Sequence, residues 1–140
     1  MKFAYRLLHP KVVFLLVTKH QNKTNVMTLA WSMPVEYDTI AIAISRENYS
    51  YELLSKSKEF TLNVLPIEKL DIIWKAGTTS GREIDKIKKL GIELEEGVKI
   101  KIPHIKIAMA FLECKIEKEI KTKNHSLIIC LLYTSPSPRD

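Results

Sequence analysis

Apolar residues along this chain fall into short runs that predict β-strands. Residues 12–18 form a continuous apolar run rich in β-branched side chains, which is typical of a strand buried on both faces. Polar residues 19–24 predict a turn that leads back into the next strand. The predicted strands are residues 12–18, 26–32, 40–44, 60–64 and 105–121, and a further strand begins over residues 125–129.

Helical patterns lie between these strands. Residues 51–56 predict a short helix. Apolar side chains then recur at helical spacing over residues 67–74, after Pro66 and before a fitting end at Gly77. These segments predict helices that pack on the outside of the sheet.

A third helix is predicted directly afterwards. Ser80 and Glu83 have the spacing of a capping box, residues 84–90 carry an apolar stripe, and Gly91 supplies a left-handed end. The chain has 140 residues, of which 46% are apolar, and this is enough for one domain with a sizeable core. The chain is therefore predicted to be a mainly β, α+β domain: a barrel with peripheral helices.

Small side chains follow one another in residues 25–32. Ala30 and Ser32 leave room for a flat heterocycle to approach the backbone, and Thr28 with nearby main-chain groups can hydrogen-bond its polar edge. Alternatively, Thr28 and Ser32 face solvent, and Trp31 packs in the core or at an interface. On the first interpretation, this strand forms one side of a site for a planar ring.

Polar residues 45–50, at the end of the next strand, suit a phosphate group. Arg46 carries a planar fork of donors, and Asn48 and Ser50 stand where a helix begins and leaves N–H groups free. Alternatively, Arg46 pairs with a neighbouring carboxylate on the surface, and Ser50 is only a helix cap. Taken together, the two segments predict a site for a planar ring with a phosphate tail.

Several segments, in this order, resemble the flavin reductase family, whose members fold as FMN-binding split barrels of Greek-key type. The flavoredoxin-like and ferric-reductase-like branch is the most similar. The segments that carry the resemblance are Arg6, His9, Pro10 and residues 12–18, 25–31, 59–64 and 80–86. The most specific of them are residues 80–86 and 25–31.

The resemblance implies FMN as the cofactor and NADH or NADPH as the co-substrate. It implies no catalytic side chain, because the flavin carries the reactivity, although His125 is a candidate near the ring. The cofactor-binding residues that it implies are Asn25, Met27, Thr28, Leu29, Ala30, Trp31, Ser45, Arg46, Asn48, Ser50, Tyr51, Ser80, Arg82 and Lys86.

Two functions follow from the resemblance. The first is an oxidoreductase that passes a hydride from NADH or NADPH to flavin and electrons on to free flavin, ferric iron, or a partner oxygenase or redox protein. The alternative is an FMN-binding electron-transfer protein without NAD(P)H activity of its own. The resemblance also implies a homodimer.

Charge and composition exclude other classes of function. The net charge of +6 comes from lysines interleaved with glutamates and few aromatic residues, which is not the pattern of a nucleic-acid platform. The apolar runs are too short to span a bilayer, and the histidines show no metal-ligand spacing. Of the two cysteines, Cys130 falls in the suspect segment 130–140 described next, and Cys114 is interpreted as a core residue. The single native thiol that remains indicates a reducing, cytoplasmic location.

Residues 130–140 differ in character from the rest of the chain. They resemble the conceptual translation of a transposase-type sequencing adapter, and we expect them to be a non-native tail. A natural Pro/Ser-rich terminus is the alternative. On this interpretation residues 1–129 are an N-terminal fragment of the split-barrel domain, and the last strand is interrupted after Ile129.

Overall fold

The computed structural model describes residues 3–8, 10–82 and 84–133; His9, Glu83 and residues 134–140, which the sequence analysis used, lie outside them. Its strands are β1 (Phe14–His20), β2 (Lys23–Leu29), β3 (Ser32–Glu36), β4 (Thr39–Ser45), β5 (Glu59–Val64), β6 (Leu94–Glu95), β7 (His104–Ile105), β8 (Ala110–Lys121) and β9 (His125–Leu132). Its helices are α1 (Tyr49–Ser57), α2 (Leu70–Thr78) and α3 (Lys86–Lys89).

Most of these strands belong to a single sheet. Its order is β2-β1-β5-β8-β9-β4-β3, with every neighbouring pair antiparallel, and β6 pairs with β7 in a separate small ribbon. The predicted mainly β architecture with a few helices is confirmed. Within the described ranges, no helix is long and apolar enough to cross a membrane.

Strand β1 is buried on both faces. Leu15 and Val17 pack in one apolar cluster, beneath α2 and residues 92–108, while Leu16 packs in a second cluster that includes Phe60. A strand between two apolar clusters needs apolar side chains at successive positions rather than at alternate ones. This explains the continuous apolar run by which β1 was predicted.

The prediction of one strand over residues 26–32 is wrong in its extent. Strand β2 ends at Leu29, and β3 begins at Ser32 as the edge strand that pairs with β4. The main chain turns between them, and the Trp31 carbonyl accepts a hydrogen bond from the Ala43 N–H at 2.9 Å. Strand β3 escaped prediction because Pro34 interrupts its pattern, although an edge position tolerates proline.

The helix predicted from Ser80 is much shorter than expected. It covers only Lys86–Lys89, and its cap is Asp85, whose carboxylate accepts from the Lys88 N–H at 3.1 Å. The Ser80 hydroxyl instead accepts from the Arg82 N–H at 3.3 Å. Tertiary contacts of the intervening residues, described below, outweigh the local helical pattern.

The predicted strand over residues 105–121 is divided, because Ile105 belongs to the small ribbon and β8 begins only at Ala110. The last strand is longer than expected and is not interrupted at Cys130. Strand β9 continues to Leu132, and the Cys130 side chain is fully buried, which raises the pKa of its thiol to about 12. The assignment of residues 130–140 to a non-native tail stays a prediction.

Candidate functional site

Two cavities meet beside the edge strand β2. One is polar and about 280 Å³ in volume, and we call it the phosphate cavity; the other is about 210 Å³, and we call it the ring pocket. Met27, Thr28 and Asn48 line both, so the two spaces form one elongated site. Its two ends differ in chemistry.

The start of α1 forms one wall of the phosphate cavity. Asn48, Tyr49 and Ser50 line the cavity, and Asn48 is the N-cap without a side-chain cap bond, so main-chain N–H groups at the helix start are available to an anion. Ser50 is fully buried, and its hydroxyl accepts from the Asn25 amide at 3.0 Å. The Ser50 hydroxyl proton therefore remains available to a group in the cavity.

Lys86 supplies a positive charge to the floor of the same cavity. Its side chain lies inside the protein, with the residue only 5% exposed, and its ammonium donates to the carbonyls of Val26 at 3.0 Å and Ala76 at 2.7 Å. An ammonium carries three N–H groups, so one remains for a further acceptor. In the described part of the chain no carboxylate pairs with Lys86. Burial lowers the pKa of the ammonium.

The loop after α2 closes the cavity from the other side. Gly81 approaches Asn25 so closely that a Cβ there would lie 1.9 Å from the Asn25 Oδ1 atom. Arg82 fastens the loop to α1, because it donates to the Glu52 carboxylate at 2.7 Å and to the Glu47 carbonyl at 3.2 Å. These contacts explain why the segment stays out of a helix.

The ring pocket is bounded by the end of β2, by the end of β4 and by the first residue of β9. An aromatic stack forms its outer wall: the Trp31 and His125 rings lie 5.1 Å apart at 28°, and Tyr5 meets Trp31 edge-on at 5.6 Å. Thr28 lies at the junction with the phosphate cavity and donates its hydroxyl proton to the Ile73 carbonyl at 2.5 Å. The residues that line the pocket are Met27, Thr28, Leu29, Ala30, Trp31, Ala43, Ile44, Ser45, Asn48 and His125.

Strand β2 also offers main-chain groups to the pocket. Since β2 lies at the edge of the sheet, alternate residues direct their N–H and C=O groups away from β1. Val26 is one of these residues, because its carbonyl accepts from Lys86. Thr28 follows with the period of two and presents its main-chain groups on the same side. Ala30 lies beyond the end of β2, and its carbonyl accepts from the Ser32 N–H at 3.2 Å.

The structure brings most of the sequence-predicted residues together, with three exceptions. Arg46 lines neither cavity, since its guanidinium donates to main-chain carbonyls of the β8–β9 turn. Tyr51 points elsewhere, and its hydroxyl donates to Glu119 at 2.5 Å. Arg82 lies at the rim, where it holds the loop. The residues that the structure does bring to the two cavities are Asn25, Met27, Thr28, Leu29, Ala30, Trp31, Ser45, Asn48, Ser50, Ser80, Lys86 and His125.

Sequence reasoning missed most of the segment that lines the phosphate cavity at the end of α2 and in the loop after it. Residues 77–81 read Gly-Thr-Thr-Ser-Gly, and all of them line it. A run of glycines and small hydroxyl residues lets a backbone approach an anion closely. This composition could have identified residues 77–81 as part of an anion site from the sequence alone. Across the described ranges, no group of three or more histidine, cysteine or carboxylate side chains is placed to hold a metal ion.

Comparison with known proteins identifies relatives of this chain and solved structures with a similar fold. The chain is 38% identical over 124 residues to an uncharacterized protein of Archaeoglobus fulgidus, covering 87% of this chain and 70% of the relative. Its fold is similar to flavoredoxin of Desulfovibrio vulgaris, with a TM-score of 0.85 and 21% identity over 94% of this chain and 72% of that one. It is also similar to the NADH:FAD oxidoreductase SgcE6 of Streptomyces globisporus, with a TM-score of 0.83 and 17% identity over 96% and 80% of the two chains.

The predicted split-barrel fold is confirmed by these structural matches. Residues 5–133, nearly all of the described chain, match the family described as flavin reductase like domain. The chain therefore belongs to the flavin reductase-like domain family.

Proposed function

We propose that this protein binds FMN, with the phosphate in the phosphate cavity and the flavin in the ring pocket, and acts as an oxidoreductase that uses NADH or NADPH. The observation that carries the proposal is Lys86, a buried ammonium without a carboxylate partner among the described residues, on the floor of a polar cavity at a helix start. A buried charge is costly unless it is compensated. A phosphate dianion supplies that compensation.

The donors in the phosphate cavity fit a phosphate group. The third N–H of Lys86, the Ser50 hydroxyl proton and the free main-chain N–H groups at the start of α1 converge on one space. The hydroxyls of Thr78, Thr79 and Ser80 line the opposite side. A phosphate monoester presents three acceptor oxygens and accepts from such a mixed set.

The ring pocket fits a flat heterocycle with one polar edge. Small and apolar side chains bound it, the Trp31 and His125 rings form a planar wall, and Thr28 presents main-chain groups. FMN, when bound, would accept a hydride and pass electrons on, chemistry that no side chain of this site supplies. The residues of the chain hold the ring, orient its edge through β2 and exclude water from one side.

The electrons would pass to free flavin, to ferric iron, or to a partner oxygenase or redox protein. A second candidate is an FMN-binding electron carrier that does not itself use NADH or NADPH. The likeness to a flavoredoxin favours it, while the likeness to an NADH:FAD oxidoreductase favours the first. The two cavities would serve either function.

A spectroscopic titration tests the proposal. FMN is added to the flavin-free protein and binding is followed by the change in the visible spectrum, after which NADH or NADPH is added without oxygen. We expect saturable binding and then bleaching by one of the nucleotides. Binding without bleaching by either would support the carrier, and a folded protein that binds no FMN would exclude both functions.

The proposal includes a homodimer. The sheet face opposite the core carries the half-buried side chains Leu127, Ile129 and Leu131 of β9, and Met33 and Val35 of β3 are 59% and 48% exposed. A solvated face of an antiparallel sheet normally carries polar side chains. A contiguous apolar patch is typical of an interaction surface, and it adjoins the ring pocket at Trp31.

A further inference from the structure

Arg46 lies across the turn that joins β8 to β9. Its guanidinium donates to the carbonyls of Thr122 at 2.9 Å and Lys123 at 3.0 Å, and also to the carbonyl of His125. The Arg46 main-chain N–H donates to the Asn124 carbonyl at 3.2 Å. One residue therefore bonds to the carbonyl of every residue from 122 to 125.

We call the hydrogen bonds from Arg46 to the carbonyls of residues 122–125 the clamp, and their chemistry requires arginine. A guanidinium has five N–H donors in a rigid plane and can serve several carbonyls at once, whereas an ammonium is a compact point charge on a flexible stem. Arg46 also follows β4 directly, and the last pair of the β4–β9 ladder joins Ser45 to His125. The clamp thus lies at the end of that ladder and fixes the first residue of β9.

That first residue forms part of the ring pocket. His125 stacks on Trp31, and both side chains line the pocket, while Arg46 lines neither cavity. The position of the imidazole depends on the main chain that carries it. This main chain begins at a turn and is held at the His125 carbonyl by Arg46 together with the N–H and hydroxyl of Thr122, at 2.9 and 3.0 Å.

We infer that Arg46 is a positioning residue that holds the His125 and Trp31 wall of the ring pocket, and not a ligand of the phosphate. This inference rests on the proposed function only where it concerns flavin affinity. The clamp and the stack themselves are properties of the flavin-free chain. The inference also assigns a different role to the residue that the sequence alone associated with phosphate.

Proton NMR of the flavin-free protein tests the clamp directly. The aromatic ring of Trp31 shifts the imidazole protons of His125 upfield when the two rings stack. His104 is an internal control, because it stacks on Phe111 at 3.7 Å and 5° in another part of the protein. We expect Arg46→Ala to move the His125 signals toward their unstacked positions while the His104 signals stay in place.

Two further variants separate the clamp from a general effect. Arg46→Lys keeps the charge but not the planar fork, so we expect it to lose most of the His125 shift as well. Arg82→Ala removes an arginine that fastens a different loop, and it should leave the His125 signals unchanged. If Arg46→Ala also loses the His104 signals, it has unfolded, and Arg46→Lys then decides.

Flavin affinity separates positioning from phosphate binding. Riboflavin has the ring of FMN without its phosphate, so loss of the wall should weaken both ligands by the same factor, about tenfold. A weakening confined to FMN, a His125 shift that survives in both Arg46 variants, or unchanged affinity for both flavins would each overturn the inference. If the wild-type protein binds neither flavin, the proposed function fails, and the NMR shifts still test the clamp.

Discussion

Lys86 holds its ammonium inside the protein with carbonyl oxygens as its protein partners. Carbonyl dipoles offset only part of the cost of moving a charge out of water, and burial accordingly lowers the pKa of this group. A buried charge in this environment lowers the stability of the flavin-free protein. On our proposal, the role of Lys86 is to prepare the cavity for an anion.

We predict that Lys86→Met weakens FMN binding by about ten- to a hundredfold, which corresponds to one hydrogen bond to a charged group. Riboflavin affinity should change little, since riboflavin has no phosphate. Titrations of both flavins, followed by fluorescence, measure the two effects. Lys88→Met is the matched control, because it removes an exposed lysine from the same short helix.

The affinity for FMN should also depend on pH in a defined direction. The phosphate is a dianion above about pH 6 and requires a protonated Lys86. Because burial lowers the pKa of Lys86, FMN affinity should begin to fall at a lower pH than a solvated lysine would allow. This alkaline fall should be absent in Lys86→Met, and an identical fall in both proteins would contradict the assignment.

Gly81 tests the geometry of the cavity rather than its charge. In Gly81→Ala the new methyl group would displace the Asn25 amide, which hydrogen-bonds Ser50. We predict a loss of FMN affinity of about tenfold or more. Gly91→Ala is the control: the φ of +66° at Gly91 makes alanine cost about 1–2 kcal/mol of stability, but no atom lies within 4 Å of the new Cβ, so FMN affinity should persist.

Among the elements, α1 links the phosphate cavity to the β8–β9 hairpin, which carries His125 of the ring pocket. Its first turn lines the phosphate cavity, and Tyr51 within it donates to Glu119 of β8. Ser126 of β9 donates to the same carboxylate oxygen at 2.6 Å. The hydrogen bonds from Ser126 and Tyr51 lower the pKa of Glu119, so this carboxylate holds the helix to the β8–β9 hairpin while it is ionised.

We predict that Tyr51→Phe lowers the free energy of unfolding by about 1 kcal/mol or less, since the pair is partly solvated. Because the pKa of Glu119 is lowered in the folded state, its contribution is present above its unfolded pKa and is lost as pH falls through the folded value. The difference between the two proteins in urea unfolding should therefore narrow in acid. FMN affinity should change little; a large loss would instead support the cofactor contact that the sequence predicted for Tyr51.

The sequence predicted best those elements whose hydrophobic pattern reflects burial alone. Strands β1, β4 and β5 are buried by apolar clusters, and their apolar runs show it. Strand β3 was missed because its position at the edge of the sheet is a tertiary property. Helix α3 was predicted too long because the tertiary contacts of Gly81 and Arg82 keep the preceding residues out of the helix. For the same reason, local sequence associated Arg46 with a phosphate, whereas its partners lie 76 to 79 positions away.

At the scale of the whole molecule, we expect two copies to associate through the outward apolar face of β9 and β3. We predict that the protein is a dimer in solution and that Met33→Lys, a charge placed on this face, shifts it toward monomer. Light scattering coupled to size-exclusion chromatography measures the mass directly. Tyr37→Lys, at a fully exposed position in the β3–β4 turn, is the control and should stay dimeric; a wild-type monomer at all concentrations would contradict the prediction.

The order of the strands also has a consequence in time. Strand β4 pairs with β9, and the wall of the ring pocket joins Trp31 to His125, so the site uses residues from both halves of the chain. During synthesis the chain emerges at about 5–20 residues per second, and the first half exists for several seconds before its partner does. The nascent chain therefore lacks this wall until β9 has left the ribosome, and the flavin binding that we propose would follow only after nearly the whole domain has been synthesised.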